Sequence, residues 1–143
     1  MDVEDLRTLI AKAEFHKFLK VELMSCDADQ GRLTLKLPFD SAYTIFAEAG
    51  TYHGGIVASL VDIAGAMACT LIKGHPTPTA NLRVDYLKTP ARTDLYADGV
   101  AQRVGRSIGV ADVAVRDEDG TLFALGRGTF VTTDPNPPLF ADR

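Results

Sequence analysis

The chain has 143 residues, 46% of them apolar, and sets 15 Lys and Arg against 19 Asp and Glu, for a net charge of −4 and a pI near 5.3. That size suits one domain able to bury its own core without staples, and the acidic balance excludes a general nucleic-acid binder while leaving room for local basic clusters that hold a small anion. The two cysteines, Cys26 and Cys69, stand in apolar stretches without CxxC spacing, so neither a zinc site nor a disulfide framework is expected. With acids where a signal peptide needs a basic start, the chain reads as reduced and cytoplasmic.

Residues 3–15 place Val3, Leu6, Ile10 and Ala13 at helical spacing and predict a short amphipathic helix within an N-terminal segment, 1–16. From Phe18, two extended runs flank residues 27–31. The second, RLTLKL, alternates strictly, as a half-buried strand does, and the pair reads as a hairpin. Residues 38–52 show no period and read as loop. Then comes the most apolar stretch, HGGIVASLVDIAGAMACTL, read as a helix that starts near His53 or Gly54 and is stopped by Gly74 and Pro76. Residues 56–72 fall short of the roughly 20 apolar residues that span a bilayer and enclose Asp62, so this is a buried helix and not a membrane segment. Four extended runs follow, over residues 79–87, 94–104, 107–117 and 121–133, with DEDG as the last hairpin turn and Gly120 at a position of positive φ. The final ten residues, 134–143, form a Pro-rich tail.

A helix apolar around its circumference must be covered on most sides. A curved antiparallel sheet of five to six strands is the only material in the chain that could wrap it. The expected class is therefore α+β, a hotdog fold occupying residues 1–143 as a single domain, with no repeat and no linker.

Asp62 is the only acid in the central helix, and an unpaired buried carboxylate costs several kcal/mol or more, so it must be neutralised, hydrogen-bonded or open to a pocket. His53-Gly54-Gly55 followed by a helical Asp62, with the later NLRVDYLKTPAR and GRGTF, resembles the PaaI-like acyl-CoA thioesterases of the hotdog superfamily over residues 17–133. The resemblance implies that Asp62 is the general base or nucleophile and that the amide of Gly54, with or without that of Gly55, polarises the thioester carbonyl. It also implies that the site forms between two subunits of a dimer or tetramer, with Asp62 of one facing Gly54 of the other, and that Thr79 corresponds to a hydroxyl that orients the nucleophile. Many relatives carry Asn or Gln six residues before the histidine; here that position is Ala47, followed by Glu48, in the substrate-binding region. A helix N-terminus suits a developing oxyanion on independent physical grounds.

Each site residue also has a plainer reading. Asp62 could be a hydrogen-bonded structural acid, His53 a scaffold residue at the helix start, and Gly54 and Gly55 a tight turn. Arg83, Lys88, Arg103 and Arg106 read as strand-edge cations or as holders of coenzyme A phosphates, with QRVGRS the best phosphate candidate because guanidinium and backbone amides come together there. His16 and His75 are too isolated for metal ligation, so no metal is expected. GIVAS lacks the G-x-S-x-G elbow of a serine hydrolase. The expected activity is hydrolysis of a small aromatic or short- to medium-chain acyl-CoA, with no cofactor beyond the coenzyme A of the substrate, and with no nucleic-acid or membrane partner. A hotdog acyl-CoA hydratase or dehydratase using His53 and Asp62, and a non-catalytic acyl-CoA-binding protein, are the alternatives. Phe15, Phe18, Phe46, Tyr52 and Tyr86 are the candidates to line the acyl pocket.

Overall fold

A computed structural model describes residues 1–133; the Pro-rich tail predicted at 134–143 lies outside the described residues. The element order is α1 (Val3–Lys12), α2 (Glu14–Leu19), β1 (Glu22–Asp27), β2 (Arg32–Leu37), a 3-10 turn (Ser41–Tyr43), α3 (Gly54–Lys73), β3 (Thr79–Tyr86), β4 (Leu95–Val104), β5 (Ile108–Arg116) and β6 (Leu122–Val131). All six strands pair antiparallel in one sheet ordered β1-β2-β4-β5-β6-β3, which packs around α3. This is the expected hotdog architecture.

The alternation read in RLTLKL turns Leu33, Leu35 and Leu37 inward, and β5 does the same with Ala111, Val113 and Val115. They meet Val57, Leu60, Val61, Ala64 and Ala68 of α3, all at most 1% exposed. By length and composition α3 could cross a membrane, but its apolar side chains are consumed by the sheet. Small residues set the approach: a Cβ added at Gly99 of β4 would lie 2.8 Å from the backbone oxygen of Ala64, so helix and strand pack closer there than any side chain allows. One face of α3 stays uncovered by the sheet. Gly55 is exposed, and Ala58, Ser59, Asp62 and Ala66 are half-buried.

Two expectations need correction. The N-terminal helix is two helices, because Ala13 turns extended (ψ 124°), and Phe18 belongs to α2 and not to an extended run. The break lets Leu6 and Ile10 of α1 and Leu19 of α2 all reach the core, and no Gly or Pro marks it in the sequence. Lys20 then ends α2 in the left-handed region (φ 56°), a rare conformation for a side-chain-bearing residue. Within the loop predicted over residues 38–52, Asp40 caps the 3-10 turn and Tyr43 is buried, its hydroxyl donating to the Phe18 carbonyl at 2.9 Å.

Candidate active site

The N-terminus of α3 is built by His53. As N-cap, its Nδ1 accepts the Gly55 N–H at 2.9 Å while its carbonyl accepts from Ile56 at 3.0 Å. That leaves the Gly54 N–H without a partner among the described residues, at the positive end of a 20-residue helix. Of the two glycines expected to offer amides, only Gly54 has one free; the Gly55 N–H is taken by the cap. The Gly54 carbonyl, in turn, accepts from the Tyr86 hydroxyl at 2.7 Å, and the Tyr86 ring lies 3.5 Å from where a Cβ on Gly54 would sit.

Asp62 lies two turns further on, about 12 Å along the axis at 1.5 Å per residue. It sits half-exposed on the uncovered face of α3, and its Oδ1 accepts from the Thr79 hydroxyl at 2.6 Å. Ser59, one turn earlier, donates to the Gly55 carbonyl at 2.8 Å and is thereby spent within the helix. The Thr79 bond also anchors the start of β3, which forms one edge of the sheet. His16 of α2 is a further neighbour. Its ring is half-buried, its Nδ1 is enclosed with no hydrogen-bond partner among the described residues, and the Asp62 charge acts on it. Burial lowers its pKa, and the Ile10 carbonyl and Asp62 pull the other way without overcoming that effect. Among the described residues, no group of three His, Cys, Asp or Glu side chains is placed to hold a metal ion.

The cations separate. Arg103 and Arg106 line a cavity of about 370 Å³ with Gly105 and Ser107 at the β4–β5 turn. That turn shares an end of the sheet with Thr79: Ile108 pairs with Val131, whose N–H donates to the Pro78 carbonyl at 2.7 Å. Arg83 does not join them. It points to the outer face of the sheet, paired with Asp85 at 3.2 Å in a groove with Asp112 and Arg127, because the alternation of β3 sends Leu82 and Val84 inward instead. Lys88 lies at a separate cavity beside Gly54, of about 170 Å³, which Tyr52, Val57, Tyr86 and Phe123 also line. Ala47 and Glu48 are exposed in the loop before α3; Ala47 offers no polar side chain, and the Glu48 carbonyl accepts from the Arg92 guanidinium.

A profile of the Thioesterase superfamily matches residues 49–124, which takes in the cap, the free amide, Asp62 and Thr79. The chain belongs to the thioesterase superfamily. It is 38% identical over 115 residues, 73% of this chain and 76% of the other, to a Halobacterium salinarum protein provisionally designated an esterase. It is 29% identical over 94 residues to YigI of Salmonella typhimurium, named a medium/long-chain acyl-CoA thioesterase, spanning 55% of this chain and 61% of YigI. A solved thioesterase-superfamily structure superposes with a TM-score of 0.85 at 30% identity, covering 90% of this chain and 96% of that one. The PaaI protein of Escherichia coli shares the fold, with a TM-score of 0.81 at 22% identity over 92% of each chain.

Two residues of this thioesterase-superfamily site escaped the sequence reading in their roles. Tyr86 read only as a possible pocket aromatic, and its bond to Gly54 spans 32 residues of chain. His16 read as isolated, and only the fold brings it within reach of the Asp62 charge. Of the other aromatic candidates, Tyr52 lines the cavity beside Gly54, whereas Phe15 and Phe18 stack on each other and Phe46 is 68% exposed.

Proposed function

We propose that this thioesterase-superfamily chain hydrolyses an acyl-CoA to the free acid and coenzyme A, with Asp62 as general base and the Gly54 N–H as oxyanion donor. Asp62 takes a proton from water, the resulting hydroxide adds to the thioester carbon, and the carbonyl oxygen gathers negative charge against the Gly54 amide. Collapse breaks the C–S bond, and the proton on Asp62 passes to the departing thiolate. One arrangement carries this reading: a carboxylate held at one oxygen by Thr79, with the other open on an uncovered helix face, in a chain that also leaves one helix-terminal amide unpaired. The names of the acyl-CoA thioesterase relatives support the substrate class, and the cluster of Arg103 and Arg106 near the Thr79 end suits coenzyme A phosphates.

The two groups lie too far apart on one helix to meet the same carbonyl, so the working unit in this reading is a dimer in which Asp62 of one subunit faces Gly54 of the other. The exposed edge of β3 and the exposed side chains of Leu87 and Phe46 support such an interface. A hydratase would use His53 as its acid-base partner, and the commitment of His53 Nδ1 to the helix cap favours hydrolysis instead. With both cysteines free, the reduced cytoplasm is the compartment this reading assigns.

Thiol release from a panel of acyl-CoAs tests it. Wild type turns over and Asp62→Asn loses at least about a hundredfold in kcat, the scale of a lost general base. If neither releases thiol while acyl-CoA raises the melting temperature, the chain is a binding protein. A single turnover in 18O-water separates a covalent path, which leaves label in the Asp62 carboxylate, from water attack, which does not.

A further inference from the structure

We infer that the cavity beside Gly54 receives the acyl group and that Tyr86 limits it to compact acyl groups, about the bulk of one benzene ring. The inference rests on the thioesterase reading and adds the substrate's size to it. A carbonyl oxygen bound at the unpartnered Gly54 N–H places its acyl substituent next to the cavity that Gly54 lines, a mainly apolar space of about 170 Å³. An apolar protein cavity of about 150 Å³ is known to hold benzene, so this one suits a phenyl group or a short aliphatic chain and excludes a long one.

The walls differ in how far they can yield. Val57, Tyr52 and Phe123 are core residues, 1%, 2% and 5% exposed, and the Tyr52 hydroxyl is tied to the Thr93 carbonyl at 2.7 Å. They form a floor that close packing holds in place. Tyr86 is the exception. It ends the edge strand β3, is 55% exposed, and is held over Gly54 by one hydrogen bond of 2.7 Å to a backbone carbonyl. Its ring is one wall of the cavity, and the one that packing holds least. Tyr86 is thus a specificity residue: it bounds the cavity and at the same time steadies the carbonyl of the residue whose N–H meets the substrate.

The experiment measures both turnover and binding. Thiol release by wild type, Tyr86→Phe and Tyr86→Ala is compared for benzoyl-, phenylacetyl-, butyryl-, decanoyl- and palmitoyl-CoA. Dissociation constants for the same compounds are measured calorimetrically on Asp62→Asn, alone and combined with Tyr86→Ala. The expected result is a wild-type preference for the compact acyl groups over palmitoyl of about tenfold or more, the scale set by misfit in an apolar pocket. Tyr86→Phe, which keeps the ring, keeps that order, and Tyr86→Ala shifts the compact-to-long ratio by about tenfold or more toward the long chains, in kcat/KM and in affinity. A wild type that prefers palmitoyl-CoA, or a Tyr86→Ala ratio unchanged from wild type, overturns the inference. If the binding order holds without any thiol release, the hydrolase reading fails and the pocket assignment stands.

Discussion

His16 lies within reach of the Asp62 charge, and its burial has a measurable consequence. Burial holds the His16 pKa below its ordinary 6.5, against the weaker upward pull of the Ile10 carbonyl and of Asp62. Between the lowered folded value and 6.5, the unfolded chain binds more protons at this position than the folded one, so His16 removes stability as pH falls through that window and changes nothing further below it. Replacing it by Gln removes the titration. Melting temperature followed from about pH 7.5 to 5 falls less steeply in His16→Gln than in wild type; equal slopes would place the acid sensitivity elsewhere. Asp98 acts in the same sense, at lower pH. Burial raises its carboxyl, but hydrogen bonds from Arg116 and Thr34 and the guanidinium charge outweigh that and hold it below the usual range, so its contribution is lost only as pH falls through that depressed value. At this scale Asp62 was legible in the sequence because one acid in an apolar helix demands an explanation, whereas His16 looks like an ordinary histidine until the fold brings it within reach of the Asp62 charge.

The N-terminus of α3 is the element on which the chemistry depends, and its geometry allows a clean substitution. Gly54 is the first helical residue, where proline fits because the N–H it lacks is one the helix does not use. His53, before it, is already extended, with φ −69° and ψ 134°, as a residue preceding proline must be. Gly54→Pro therefore deletes the one unpartnered amide and leaves the helix in place. Circular dichroism should match wild type while kcat falls by about 10² to 10³, the loss typical of one oxyanion donor; full activity in a folded Gly54→Pro would remove the amide from the mechanism. The elements themselves were almost entirely readable. Strict alternation marked β2, extended runs marked the other strands, and Gly74 and Pro76 marked the end of α3. The break at Ala13 was not, since it answers to where Leu6, Ile10 and Leu19 must pack and not to any local breaker.

At the scale of the whole molecule, the decisive question is whether one chain holds a complete site. If the site is shared, Asp62→Asn and Gly54→Pro damage complementary halves. Each mixed dimer then carries one intact site, made of Asp62 from one chain and Gly54 from the other, and one doubly damaged site. Co-refolding equal amounts of the two inactive variants should recover about a quarter of wild-type activity, from random pairing of two-fold dimers. No recovery, with mixed dimers demonstrated by tag exchange, would confine the site to one chain.

Hydrophobic period, helix stop signals and the HGG-to-Asp62 spacing are local properties, carried by neighbours within a few residues. They were enough to determine a hotdog fold, its central helix, and the acid and glycines of the candidate site. Only the tertiary structure decided which glycine amide is free, because that depended on where the His53 ring settled. It alone placed Tyr86 over Gly54 and Thr79 against Asp62. These are contacts between residues distant in sequence, and they arise from how a twisted sheet closes around a helix, which no local pattern encodes.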